Sequence, residues 1–249
     1  TTPPPARGWS RPEAVSRVVL LHGGGVGPWM WRAVAERLPE GHEVLTPALD
    51  GHGATGAPTF TDQAAAARAV ARDVVATFGA GAVTLAGFSL GGQVALQLAA
   101  TRPELVARLV VISSLLEPLP GAGLTAWLAR AAAPLAARPW FARLQARQLG
   151  VPEERFDDYL GTASLLTPES LANLTRANAS FEAAPLLARL TAPVTLVHGE
   201  AEPRPVAAGM RRARERLPGA ALVSVPGAGH TLPLTHPELV ARLVARPEG

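Results

Sequence analysis

Gly87-Phe88-Ser89-Leu90-Gly91 places a serine between glycines, directly after an apolar run and before a helix-forming stretch. A sharp strand-to-helix turn needs small neighbours, because larger side chains would collide with it. The two glycines supply that room, and Gly92 lets the following helix pack close to the sheet. The turn lifts the Ser89 oxygen above the sheet end, where a helix N-terminus favours developing negative charge. A second motif, His22-Gly23-Gly24-Gly25, ends the first apolar run. Attack on a carbonyl passes through an oxyanion that needs two preorganised N–H donors. The backbone N–H groups of Gly24 and Leu90 are the expected pair, with His22 tying the loop down. A phosphate-binding loop is excluded here, since no GK[ST] follows and GxGxxG spacing with a downstream acid is absent. The third motif, Gly227-Ala228-Gly229-His230, offers the base that a serine hydroxyl needs. His42, His52, His198 and His236 compete for that role in less suited loops. Glu200 and Glu202, in the loop after the apolar run 194–197, could fix the tautomer of His230. The resulting chain order is serine, acid, histidine.

These residues require a scaffold, and the hydrophobic pattern supplies one. Short apolar runs at 18–21, 44–46, 82–86, 109–112, 194–197 and 221–225 read as strands. Amphipathic stretches at 29–38, 63–78 and 93–100 read as helices. Continuous apolar strands alternating with helices predict an α/β fold, a mostly parallel sheet flanked by helices. From 115 to 190 no clear strand occurs, only helical patches cut by prolines and holding many of the aromatics. A structureless loop that long is implausible in a compact domain, so this segment is expected to be a small helical lid insertion within a single domain spanning 1–249.

Composition narrows the function. The 249 residues are 48% hydrophobic and 17% charged, ordinary proportions for a globular protein and not for a disordered one. All 23 basic residues are arginine, set against 20 acids for a net charge of +3. The arginines are spread along the chain and aromatics make up 5%, so no nucleic-acid partner is expected. No apolar stretch is long enough to span a bilayer, no signal peptide is visible in the proline-broken N-terminus, and a cytoplasmic protein without a membrane partner is expected. The absence of cysteine removes disulfides, thiolate metal sites and a cysteine nucleophile. Oligomeric state is not readable from the sequence.

Taken with LLHGGG at 20–25, PALDGHG at 47–53, GFSLGG at 87–92, PVTLVHGEAEP at 193–203 and PGAGHTLPLTHPE at 226–238, the chain resembles the α/β-hydrolase superfamily. It is similar to small bacterial carboxylesterases and pimeloyl-carrier methyl ester esterases. The resemblance implies a Ser89–His230–acid triad and no metal or other cofactor. It places Glu202 where the family usually has aspartate, with Glu200 and then Glu117 as alternatives. Glu117 follows the 109–112 strand, from which some relatives supply the acid. Ala48 stands where relatives carry an aspartate, a change expected to affect loop anchoring. Ser89 sets aside the dehalogenases and epoxide hydrolases of this fold, which use aspartate there.

The expected function is hydrolysis of a small-molecule carboxylic ester through an acyl-enzyme. Trp127, Trp140 and Phe141 of the insertion are expected at an apolar acyl pocket. Arg130, Arg138, Arg143 and Arg147 recur nearby and could meet an acidic substrate or carrier. The alternatives are a carbon–carbon bond or enol-lactone hydrolase using the same triad, and a non-catalytic ligand-binding relative.

Overall fold

The computed structural model describes residues 16–53, 59–136 and 138–245; the proline-broken N-terminal stretch lies outside them. Six strands, β1 (Ser16–Leu21), β2 (His42–Leu45), β3 (Val83–Phe88), β4 (Val106–Ile112), β5 (Val194–Gly199) and β6 (Ala221–Val225), form one sheet in the order β2-β1-β3-β4-β5-β6. Every neighbouring pair is parallel, with Leu21 opposite Gly87, Phe88 opposite Ile112 and Gly199 opposite Val225. The expected α/β class is the observed one, and the strands fall where the apolar runs lie.

The strands are apolar throughout because both faces are covered. Val19, Leu21, Leu85, Leu109 and Leu196 pack toward α2 (Gln63–Phe78), α3 (Leu90–Thr101) and α9 (Arg204–Arg216). Their neighbours Val18, Leu20, Ala86, Val110 and Val197 pack on the opposite face, with Trp31 and with Val240 and Val244 of α11 (Pro237–Ala245). The alternation is the two-residue period of a strand, here with two cores to fill.

Local signals explain the helix boundaries. Asp62 caps α2 by accepting from the Ala65 N–H at 2.7 Å, and Gly79 ends it at φ +71°. The helix expected over 29–38 is shorter. A 3₁₀ turn over Pro28–Trp31 leads into the single turn of α1 (Arg32–Ala35). Its apolar face is nonetheless as expected, since Trp31 and Val34 are buried and Leu38 packs against them.

Between β4 and β5 lie α4 (Ala122–Ala136), α5 (Pro139–Gln148), α6 (Phe156–Leu165), α7 (Pro168–Ser180) and the single turn of α8 (Ala184–Leu187). Among the described residues of 115–190 there is no strand. The prolines start helices more often than they break them. Pro139 and Pro168 occupy first-turn positions, and Thr167 caps α7 through the Ser170 N–H at 3.0 Å.

A parallel sheet directs all its strand ends one way. The chain runs from β1 outward to β2 and then crosses back to β3 on β1's other side, so β1 and β3 flank the point where the winding reverses. In such sheets the crevice at the carboxyl ends of those two strands is the natural ligand position. His22-Gly23-Gly24 leaves β1 there and Ser89 leaves β3.

Candidate active site

Ser89 joins β3 to α3 with φ +52° and ψ −117°, a conformation that side chains rarely adopt. It is over-determined by its surroundings. The Ser89 N–H donates to the Ile112 carbonyl at 2.8 Å, and the Ser114 hydroxyl donates to the Ser89 carbonyl at 2.8 Å. A side chain at Gly91 would strike the Leu21 and His22 carbonyls, and one at Gly92 the Ser114 hydroxyl. The room expected around this serine is therefore taken up by the neighbouring strand ends.

Two loops at the far side of the sheet bring up the base and the acid. The Glu200 N–H donates to Val225 O and the Ala201 N–H to Ala228 O, at 3.0 and 2.9 Å, so the loops after β5 and β6 are stitched together. Gly199 permits this approach, since a Cβ there would meet the Ala228 carbonyl. His230 Nδ1 then lies 2.8 Å from Glu202 Oε2, and its Nε2 lies 3.3 Å from Ser89 Oγ. A carboxylate only accepts, so Nδ1 carries the proton and Nε2 is free to accept from the Ser89 hydroxyl. The Glu202 side chain is fully buried and that of His230 about one-third exposed. Phe88 packs beside the imidazole, ring centroids 5.1 Å apart. The longer glutamate thus reaches the histidine directly.

The other acids stand elsewhere. Glu117 is ion-paired with Arg212 at the surface, which holds its carboxyl below the usual glutamate range. Glu200 is exposed. The competing histidines are engaged elsewhere: His42 Nδ1 lies 2.9 Å from Pro39 O, His198 Nδ1 2.9 Å from Gly199 O and His236 Nδ1 2.9 Å from Thr235 Oγ1, while His52 joins His22 at the glycine loop. His22 Nδ1–H donates to Gly23 O at 2.8 Å while Nε2 accepts from the Leu49 N–H at 3.0 Å. His52 Nδ1–H donates to Asp50 O at 3.1 Å and its Nε2 accepts from the Gly25 N–H at 3.0 Å. Both rings therefore serve as neutral struts for the glycine loop, as expected for His22. Burial, reinforced by the neighbouring His52, pushes His22 down to about 3, and burial pushes His52 down to about 4.

Gly24, Gly25, Ser89 and Leu90 line one side of a cavity of about 340 Å³. Leu90 is the first residue of α3, so its N–H has no carbonyl a turn earlier to bond. Gly24 faces it closely, a Cβ there falling 3.6 Å from Leu90 Cδ2. The opposite wall comes from Gln145 and Leu149 of the α5 end, Tyr159 of α6, and Leu174 and Asn178 of α7, and no lining residue is charged. Trp127, Trp140 and Phe141, expected at an acyl pocket, are not among the lining residues of this cavity. Trp127 and Trp140 are each 63% exposed, because α4 and α5 turn alanines inward (Ala126, Ala133, Ala142, Ala146) and their large side chains outward. The tyrosine, glutamine and leucines that replace them gave no local signal, since they mark a wall only once the helices are assembled.

Gln93, one turn into α3, is also a residue that the sequence pattern does not single out. Its fully buried amide donates to Leu115 O at 2.8 Å and to Asn178 O at 3.2 Å, and accepts from Gln63 Nε2 at 2.7 Å. Gln63 also donates to Ala177 O at 2.9 Å. Two glutamines thus bind the last carbonyls of α7 to the helix that follows Ser89. Glu202 Oε1, His198 Nε2 and, at the cavity wall, Asn178 Oδ1 are buried without a hydrogen-bond partner among the described residues. No cluster of three or more His, Asp or Glu that could hold a metal occurs among those residues.

Parallel sheet, strained serine turn and histidine–glutamate pair define a class, and the sequence comparison agrees: residues 18–243 match the profile of the Alpha/beta hydrolase family, to which this chain belongs. Over 91% of its length it is 34% identical to the pimeloyl-[acyl-carrier protein] methyl ester esterase of Aromatoleum aromaticum, covering 96% of that protein. The enzyme of the same name from Neisseria meningitidis serogroup B is 32% identical over 94% of this chain and 93% of its own. Among solved structures, a thermophilic esterase from Thermogutta terrifontis superposes with a TM-score of 0.75 at 24% identity, covering 92% of this chain and 88% of that one.

Proposed function

We propose that this chain is a serine esterase that cleaves carboxylic esters through an acyl-enzyme. The observation that carries the reading is the continuous contact from buried Glu202 through His230 to Ser89, on the rim of a cavity that also exposes Gly24 and Leu90. Ser89 Oγ attacks the ester carbonyl as His230 Nε2 takes its proton, and the Gly24 and Leu90 N–H groups receive the oxyanion. Collapse of the tetrahedral adduct expels the alcohol, which leaves with the proton from His230. A water then gives its proton to His230 and attacks the acyl carbonyl, releasing the acid and restoring the Ser89 hydroxyl. Glu202 stabilises the imidazolium formed in both halves. The helices between β4 and β5 act as a lid insertion on a single domain.

The uncharged wall favours a neutral, chain-like acyl group over one carrying a free carboxylate, because a buried charge there would find no counter-ion. A methyl ester on a medium acyl chain, the chemistry named for the Aromatoleum and Neisseria relatives, is compatible with that wall. Intact mass after treatment with a fluorophosphonate probe, followed by peptide mapping, tests the reading. A single adduct on Ser89, with turnover across an ester panel, is the expected result. A folded protein that takes no adduct and turns over no ester would refute it.

A further inference from the structure

We infer that the outward face of α4 and α5 is a docking surface for an anionic lipid bilayer. Leu124, Trp127, Leu128 and Leu135 recur at helical spacing on the side of α4 opposite its buried Ala126 and Ala133, and all four are exposed. On α5, Trp140 and Leu144 stand outward with Arg143 and Arg147, while Ala142 and Ala146 turn in. Both helices therefore show solvent their larger apolar residues and keep their small ones inside, the reverse of an ordinary surface helix.

The charge of this face selects its occupant. From 118 to 152 the sequence holds four arginines and no acid, in a chain otherwise nearly balanced. Arg143 is engaged by Glu153 at 3.5 Å and lies over the Phe156 ring. Arg130, Arg138 and Arg147 make no ion pair among the described residues. A second copy of this chain is a poor occupant, since a two-fold contact would set these arginines against themselves. Exposed tryptophans and leucines flanked by arginines are the residue set of a helix lying in a membrane interface, with rings at the headgroup level and cations on anionic lipid. The sequence pattern excludes a membrane span, and a surface contact of this kind needs none. Ala136 and Gln145, on the inner sides of the same helices, line the cavity, so docking would set the two helices between the lipid and the cleft.

Flotation of the purified protein with phosphatidylcholine vesicles, with and without phosphatidylglycerol, tests this. Binding is expected only with the anionic lipid, and to weaken at high salt. Arg138→Gln and Arg147→Gln should each lower the partition about fivefold. Trp127→Ala with Trp140→Ala should abolish it, leaving turnover of a water-soluble ester unchanged. Absence of binding at low salt by protein with full ester turnover would overturn the inference. So would binding indifferent to the tryptophan changes, dimerisation that buries the two tryptophans, or capture of this face by a soluble acyl carrier protein without vesicle binding. Because soluble-ester turnover is read in parallel, loss of the esterase reading would show separately.

Discussion

Glu202 offers the sharpest test of the site, because its contribution can be worked from one distance. In the proposed mechanism His230 becomes an imidazolium on taking the serine proton, and the Glu202 carboxylate lies 2.8 Å from its Nδ1. At an effective dielectric near 20, opposite charges at that separation attract by about 6 kcal/mol. The attraction is absent before proton transfer, when the ring is neutral, so it lowers the barrier and not the ground state. Glu202→Gln removes the charge and should cost up to ~10⁴-fold in kcat, the order seen for acid-to-amide change in a chymotrypsin-type triad. Glu202→Asp keeps the charge but withdraws it by one methylene, to about 4 Å. The attraction then falls by about 2 kcal/mol, a loss of roughly 25-fold. The assay is kcat on a soluble chromogenic ester, with melting curves to establish that each variant is folded. Glu200→Gln and Glu117→Gln, acting on exposed groups, should stay near wild type. A Glu202→Gln enzyme retaining a tenth of wild-type kcat, or an equal loss on changing Glu200, would refute the assignment.

Acid should loosen the glycine loop before it titrates most carboxylates. His22 and His52 sit near 3 and 4 in the fold against 6.5 when free, so the unfolded chain binds these protons first. Their contribution is intact above about pH 6.5 and is lost as pH falls, down to about 4 for His52 and about 3 for His22, by up to about 1.4 kcal/mol per pH unit for each ring. Urea titrations at stepped pH measure this, and a flat profile from pH 7 to 4.5 would contradict it. Gln93→Leu should unpair Leu115 O, Asn178 O and one bond of Gln63, costing about 3 kcal/mol and lowering Tm by about 6–12 °C. Because α7 carries Leu174 and Asn178 of the cavity wall, KM for longer acyl chains should rise more than kcat falls, a split visible in a chain-length series.

What could be read from the sequence follows a physical boundary. Strands filled on both faces leave continuous apolar runs, and a positive-φ serine leaves glycines at fixed offsets, so β3, Ser89 and the close approach at Gly91 were legible. The His230 loop was legible for the same reason. The meeting of Glu202 with His230, and not of Glu117, depends on bonds between two loops separated in sequence, and the residues alone left it open. Trp127 and Trp140 stand outward because hydrophobicity marks burial only on average. They belong to helices whose interior face is built from alanine. Gln63 and Gln93 were silent, since a glutamine in a helix carries no sign of the carbonyls it will meet from a distant segment. Helices α9 and α11 cover the sheet without supplying a residue to the Ser89–His230–Glu202 contact.

The paired glutamines also define a seam. β4 and β5 are sheet neighbours, so the chain departs for its helical excursion and returns at adjacent points. Within the excursion, the backbone of α7 is tied to α2 and α3 by hydrogen bonds that the Gln63 and Gln93 side-chain amides donate to the Ala177 and Asn178 carbonyls. Residues 122–176 lie ahead of these attachment points, with further hydrogen bonds to the rest of the fold, from Trp29 Nε1–H to Thr162 Oγ1 and from Asn173 Nδ2–H to Phe60 O. Recombination that preserves Gln63, Gln93 and the last turn of α7 can exchange the specificity wall while the serine turn keeps its supports.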